Sequence, residues 1–119
     1  MRISILLPYK ENFTKEAAGA VSLFVSQTTK ASRYRNKTKI FGSTKFSNYL
    51  DKNYENINFD KILFKSSSKT YINNFLKKKY VLNSDIVEIH NRPHYIKTIK
   101  DNYYNKIFLY FHNDPLSMQ

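Results

Sequence analysis

Two polar segments with the same pattern, His-Asn-x-Pro, contain the residues of this chain best suited to chemistry. They are His90, Asn91, Arg92 and Pro93 in the first segment and His112, Asn113, Asp114 and Pro115 in the second. Imidazole and amide groups donate and accept hydrogen bonds, so they suit sugar hydroxyls and phosphate oxygens. Arg92 adds a permanent positive charge, and it precedes a predicted helix whose N-terminus favours anions. The two segments therefore predict a site for a sugar or a phosphorylated ligand.

The elements that must position these segments are predicted to be five strands separated by helical stretches. The predicted strands are Arg2–Pro8, Thr38–Gly42, Lys61–Lys65, Ile86–His90 and Lys106–His112. The predicted helices are Glu16–Arg33, a stretch from caps at Ser66, Ser67 and Ser68 to about Tyr80, and Pro93–Tyr103, whereas Thr44–Asn53 is a short helix or irregular. Each connection is long enough for a crossover helix. This alternation predicts an α/β fold, a parallel sheet of about five strands with helices on both faces.

The predicted fold places both polar segments at one border of the sheet, because ligands of open α/β sheets bind outside the carboxyl ends of the strands. His90 and His112 each close a predicted strand, one strand–helix–strand unit apart. If the two strands are neighbours, the imidazoles lie one strand spacing (~4.8 Å) or a small multiple of it apart. One such segment alone could be structural, since His and Asn at strand ends also bond loop carbonyls or cap helices. The matching pair favours a ligand site.

Glu88 stands in the middle of a predicted buried strand, two residues before His90, and therefore on the same face of the sheet. A carboxylate inside a parallel strand is costly unless it is paired. Two interpretations are open at this point. Glu88 pairs with a basic residue such as Arg2, or it orients a group at the border of the sheet.

The sequence argues against a metal site and against the common nucleotide loops. There is no cysteine and there are three histidines; Pro93 starts a helix between His90 and His94, so these two cannot align as ligands on one helix. No G-x-G-x-x-G motif is present, and the run that begins at Gly42 lacks the order of a Walker A loop. We therefore expect no metal and no bound cofactor.

Length and charge limit the broad class. A chain of 119 residues fits one α/β domain, and 20 basic against 9 acidic residues give a net charge of +11. Such a charge attracts phosphates, nucleic acid or anionic lipid. The longest nearly apolar stretch, Ala17–Val25, is shorter than the ~20 residues of a membrane span. The run Ile3–Pro8 is too short for a secretory signal. We expect a cytoplasmic protein, with peripheral contact at the inner face of the membrane as an extension of the basic charge.

Four features together resemble the N-terminal, acceptor-side domain of the family 4 glycosyltransferases, which have the GT-B fold. The features are a first strand that ends in Leu7-Pro8, a small-residue turn with Gly19, the run Glu88–Pro93 and the run Phe111–Pro115. The resemblance covers essentially the whole chain, and its specificity depends mostly on the two His-Asn-x-Pro segments.

The resemblance implies a Rossmann-like, acceptor-binding part of a retaining transferase of polysaccharide biosynthesis. Its partners would be a nucleotide-sugar donor and a glycan or lipid-linked acceptor, without a metal. His112 corresponds to the histidine that lies close to the donor sugar and is the candidate catalytic residue. The candidate substrate-binding residues are Gly19, in the loop near the donor phosphates, His90, Asn91 and Arg92, in the loop near the acceptor, and Asn113 and Asp114.

Two departures from the family pattern qualify these expectations. Lys15–Gly19 stands where many members have a glycine pair. The second domain of the family, with its E-x7-E motif for the donor diphosphate, has no counterpart in residues 1–119. The resemblance therefore predicts an incomplete N-terminal domain that is inactive by itself and that exposes apolar surface along Ile107–Phe111.

Two other functions remain open from the residues alone. One is a non-catalytic α/β module that binds a phosphorylated or sugar ligand. The other is a basic domain associated with nucleic acid, which has no recognised binding module in its favour. We expect the sugar-transfer function first and no nucleic-acid partner.

Overall fold

The structure is a computed structural model that describes residues 1–60 and 66–112 of the chain. Its strands are β1 Ile3–Leu6, β2 Thr38–Gly42, β3 Tyr54–Asn56, β4 Ile86–His90 and β5 Lys106–Tyr110. All neighbouring strands pair in parallel, and their order across the sheet is β3-β2-β1-β4-β5. The predicted parallel α/β sheet is confirmed, and β4 and β5 are neighbours.

Helices cover both faces of this sheet. They are α1 Ala20–Ala31, α2 Ser67–Leu76, α3 Lys79–Leu82 and α4 Tyr95–Lys100, with a short 3-10 helix at Arg35–Lys37. The side chains of β1 alternate: Ile5 packs in one apolar cluster with Val25 of α1, and Leu6 packs in the other with Phe75 of α2 and Ile99 of α4. A central strand that is apolar on both faces therefore holds the two layers of helices together.

The boundaries of the strands follow the prediction closely at β2 and β4, which match it residue for residue. The first strand was expected at Arg2–Pro8 and is shorter, and the last, expected at Lys106–His112, ends at Tyr110. The strand β3 was not predicted, because three residues of which only Tyr54 is buried carry no readable alternation. The predicted strand Lys61–Lys65 lies outside the described residues.

The helices are shorter than the sequence predicts. The expected helix Glu16–Arg33 begins only at Ala20, after Gly19 in an extended conformation. The cap expected from the serine run is confirmed at Ser66, whose Oγ accepts a hydrogen bond from the Lys69 N–H at 3.3 Å. An extended Lys78 then separates α2 from α3, where one helix to about Tyr80 was expected.

The strand β5 forms one edge of the sheet, and aromatic side chains within it and directly after it are exposed. Phe108, Tyr110 and Phe111 keep 48%, 44% and 42% of their surface accessible. This confirms the expectation that Ile107–Phe111 exposes apolar surface. In residues 1–60 and 66–112, no helix has the length and apolar character needed to cross a membrane.

Candidate functional site

The two predicted histidines meet at the carboxyl border of β4 and β5. His90 is the last residue of β4, and His112 follows two residues after the end of β5. The distance between His90 Nδ1 and His112 Nε2 is 2.7 Å, so the two rings share a hydrogen bond. The prediction that both imidazoles lie together at one border is confirmed, with ring centres 5.0 Å apart, about one strand spacing.

Glu88 extends this contact into the sheet. Its Oε2 lies 2.9 Å from His90 Nε2, so Glu88, His90 and His112 form a continuous chain of hydrogen bonds that we call the Glu88–His90–His112 triad. Arg2, the alternative partner, places its guanidinium 4.9 Å from the centre of the Tyr80 ring instead. Of the two interpretations open from the sequence, the structure thus selects a carboxylate that orients a group at the border.

Of the two imidazoles in the triad, the surroundings leave His112 as the one that can touch a ligand. His90 is 1% exposed, and its ring stacks on Tyr110 at 5.2 Å between centres with 13° between planes. His112 is half-buried, and Phe24 of α1 meets it edge-on at 4.8 Å. His90, which the sequence predicts to bind substrate, therefore acts on a ligand only through His112.

The electrostatic environment keeps His112 uncharged. Burial and the neighbouring His90 lower the pKa of His112 below its ordinary value, and the carboxylates of Glu11 and Glu88 oppose this shift. An unfolded histidine takes up a proton more readily, so this group makes folding less favourable as the pH falls below about 6.5. Near neutral pH, His112 is a neutral ring that both donates and accepts a hydrogen bond.

Asn91 connects β4 to the segment after β5. Its backbone N–H donates to the Tyr110 carbonyl at 2.9 Å, and its side-chain Oδ1 accepts from the backbone N–H of His112 at 2.6 Å. The backbone of Asn91 has a φ of 55°, in the left-handed region that asparagine tolerates better than most residues. The side chain predicted to bind substrate is thus engaged within the protein, where it holds His112 in place.

Replacing Asn91 by alanine should lower the free energy of unfolding by about 1–3 kcal/mol, because the backbone N–H of His112 loses its acceptor. The strained φ adds to this loss. The Asn91→Gly variant separates the two effects, since glycine adopts this conformation without strain but lacks the acceptor. Urea unfolding measures each change. A stability of Asn91→Ala within about 0.5 kcal/mol of the parent chain, the range of neutral surface changes, would contradict this role.

Gly19 lies at the N-terminus of α1, but a carboxylate of the protein already occupies that place. Glu11 Oε2 accepts hydrogen bonds from the Ser22 Oγ at 2.8 Å and the Ser22 N–H at 3.3 Å. A Cβ atom at Gly19 would collide with this carboxylate, so a side chain there would require Glu11 to move away from its place beside Ser22. The turn that the resemblance assigns to donor phosphates is therefore closed by Glu11 in this structure.

The remaining candidate residues are Arg92 in the first segment and Asn113 and Asp114 in the second. The Arg92 Nη1 donates to the Asn91 carbonyl at 2.7 Å, so part of its guanidinium supports the loop after β4. His94 is exposed and meets Tyr95 edge-on, away from the triad. Asn113 and Asp114 lie outside the described residues.

Three contributors to the site were not singled out from the sequence: Glu11, Phe24 and Tyr110. Phe24 is one of the apolar residues at helical spacing within the predicted helix Glu16–Arg33, and that pattern does not distinguish a residue beside a site from one in the core. Tyr110 could have been found, because it stands two residues before His112 and so shares its face of a strand. Glu11 has no local signal, since its contact with Ser22 depends on the turn before α1.

The distance between His90 Nδ1 and His112 Nε2 is that of a hydrogen bond and is too short for two nitrogens that bind the same metal ion. Two nitrogens that each lie about 2.0–2.1 Å from a tetrahedral zinc are roughly 3.3 Å apart. At 2.7 Å, the lone pair of one nitrogen faces the proton of the other. Among the described residues, no group of three or more His, Cys, Asp or Glu side chains is arranged to hold a metal.

The site as a whole is a partly exposed neutral imidazole, flanked by aromatic rings and supported by a buried histidine and a carboxylate. Comparison of the chain with protein-family models, curated proteins and solved structures finds no match. What the site can bind is therefore inferred from its own residues.

Proposed function

We propose that this chain is the acceptor-binding portion of a glycosyltransferase of the family 4 type and that His112 binds a sugar hydroxyl. The observation that carries the proposal is the 2.7 Å contact between two imidazoles from separate strand ends, at the border where α/β sheets bind their ligands. A polar chain of this kind, ending in one half-buried ring, suits a ligand held by a few directed hydrogen bonds.

The rings around His112 support a sugar as the ligand. Phe24 and Tyr110 are 39% and 44% exposed, and both lie beside the two imidazoles. Small-molecule sites commonly combine apolar and aromatic walls with a small number of directed polar groups. The C–H faces of a sugar would cover the aromatic rings, while one of its hydroxyls reaches His112.

In the proposed reaction, the bond between the anomeric carbon and the nucleotide diphosphate breaks. An acceptor hydroxyl gives its proton to the departing diphosphate, and its oxygen joins the anomeric carbon with retained configuration. His112 would fix one hydroxyl of the donor sugar and so hold the reacting carbon in one orientation, a source of rate enhancement in itself. Asn91 would hold His112 in place, and the Arg92 loop would border the acceptor.

Nuclear magnetic resonance of the chain tests the proposal with UDP-glucose, GDP-mannose and the methyl glycosides of glucose, mannose and galactose. We expect at least one sugar to shift the signals of residues 90–92 and 110–112. His112→Ala should weaken this binding roughly tenfold or more, which corresponds to one hydrogen bond. His94→Ala is the matched control, because His94 is exposed outside the triad, and it should bind like the parent chain.

Three results would count against the proposal, and two of them favour another function. Free UDP and GDP binding as tightly as their sugar conjugates would indicate a module for phosphorylated ligands. Binding to random DNA that weakens steeply with salt, without any response to sugars, would indicate a nucleic-acid function. Sugar binding that His112→Ala leaves unchanged would place the ligand elsewhere on the chain.

A further inference from the structure

The order of hydrogen bonds in the Glu88–His90–His112 triad determines where each proton resides. A carboxylate only accepts hydrogen bonds, so the contact of 2.9 Å between Glu88 Oε2 and His90 Nε2 requires a proton on Nε2. A neutral imidazole carries one proton, so His90 Nδ1 is then an acceptor. At 2.7 Å from that atom, His112 Nε2 is the donor.

The consequence reaches the exposed end of the triad. With its proton on Nε2, a neutral His112 has an unprotonated Nδ1, whose lone pair can accept a hydrogen bond. A sugar hydroxyl can donate to such an atom. An ionised phosphate oxygen that carries no proton cannot, because two lone pairs would face each other.

We infer that Glu88 and His90 are positioning residues that fix the tautomer of His112, so that its Nδ1 selects a ligand hydroxyl over a phosphate oxygen. This inference deepens the proposed function and rests on it for the identity of the ligand as a sugar. Glu88 and His90 act on specificity by determining which nitrogen of His112 carries the proton.

The surroundings of the triad favour the same arrangement. Among residues 1–60 and 66–112, the charged and titratable groups that act on His112 are His90, Glu88 and Glu11, and Tyr110 stacks on His90. The two carboxylates disfavour an anion at this border. The Glu88 side chain is 19% exposed and lines a groove of about 190 Å³ beside α1, so water can reach its free oxygen without separating the triad.

The tautomers can be read directly from imidazole ¹⁵N spectra of the chain without any ligand. We expect the protons of His90 and His112 on Nε2 in both rings, with Nδ1 of His112 showing the signal of a free acceptor. His94, which is exposed, is the internal reference for a ring without a fixed partner. A proton on Nδ1 of His112, or averaging like that of His94, would overturn the inference whatever the chain binds.

The Glu88→Gln variant tests the cause. A glutamine amide donates as well as accepts, so His90 and His112 can both reverse their tautomers and present an N–H at Nδ1 of His112. We expect mixed tautomers and a response to sulfate, an anion without an O–H group at neutral pH, at residues 110–112 that the parent chain lacks. A purely structural role would leave the tautomers fixed.

The two levels of the hypothesis fail in different ways. Fixed tautomers without any binding of the methyl glycosides would reject the sugar function while the proton arrangement stands. Sugar binding through His112 with freely averaging tautomers would support the function and reject the positioning role. If Glu88→Gln does not fold, the spectra of the parent chain still decide the arrangement of protons.

Discussion

The protein should lose stability steeply once the pH rises above about 10, the value at which a tyrosine in an unfolded chain ionises. Three tyrosines are buried, and each of their hydroxyls donates a hydrogen bond to an oxygen. Tyr54 donates to Asn56 Oδ1, Tyr71 to the Leu7 carbonyl and Tyr103 to the Ser84 carbonyl. Burial raises the pKa of Tyr103 to about 12 and raises the pKa of Tyr54 and of Tyr71 further. Ionising any of them would leave a phenolate facing another oxygen.

The direction of the effect follows from proton binding. Between pH 10 and the raised values, the folded protein keeps three protons that the unfolded chain has released. The stability is therefore fully present below pH 10 and falls as the pH rises further. Each tyrosine contributes about 1.4 kcal/mol per pH unit, so the three together give about 4 kcal/mol per unit. That slope would consume a typical stability of about 5–15 kcal/mol within a few pH units.

Urea unfolding at a series of alkaline pH values measures this slope, and the ultraviolet absorbance of phenolate shows when the tyrosines ionise. Tyr71→Phe should remove one of the three contributions to the slope. Tyr104→Phe is the control, because Tyr104 is 90% exposed. If all ten tyrosines of the chain ionise in one step near their ordinary value while it remains folded, the prediction is wrong.

The parts of the fold that could be predicted are those that local patterns determine. β2 and β4 are apolar runs buried on both faces, and turn or polar residues end them, so their bounds are readable. β3 depends on pairing with β2, and three residues carry too little pattern to reveal it. The late start of α1 depends on Glu11, whose carboxylate bonds Ser22 across the preceding turn.

The candidate site was predictable in location but not in its internal geometry. Strand ends alone place His90 and His112 at one border. Their direct contact also needs the register, in which His90 lies opposite Tyr110, and the turn of the chain that brings His112 back. Asn91, whose positive φ belongs to the turn after β4, holds the segment after β5 through its side-chain bond to the backbone N–H of His112. Neither feature has a signal within a single stretch of sequence.

The contacts of His90 and Asn91 with His112 explain why the predicted ligand contact moves from these two residues to His112. The sequence assigns ligand contact to His90 and Asn91 because both are polar and stand at a strand end. The structure buries both of them, at 1% and 7% exposure, and uses their polar atoms to orient His112. Polarity at a strand end therefore locates a site, while burial decides which residue of the site is presented to a ligand.

Phe75→Ala should lower the free energy of unfolding by about 3–5 kcal/mol, the range for removing a large buried aromatic side chain. Phe75 is fully buried on α2 and meets Phe41 of β2 edge-on at 5.3 Å between ring centres. Its loss leaves a cavity where α2 joins the sheet. Leu82→Ala is the control, because Leu82 is 51% exposed and a surface change should cost within about 0.5 kcal/mol.

The Phe75→Ala variant also tests whether the apolar core on one face of the sheet is independent of the triad on the other face. Phe75 belongs to the apolar cluster on the face of the sheet opposite α1, whereas the triad lies on the α1 face beside Phe24. Urea unfolding should therefore show the large loss, while the imidazole spectra of the fraction that remains folded keep the arrangement of the parent chain. A loss below about 1 kcal/mol would mean that the sheet closes over the cavity more completely than aromatic truncations allow. Reversed tautomers in the folded fraction would show that the two faces of the sheet are coupled through β1 and β4, against the independence expected of distant sites.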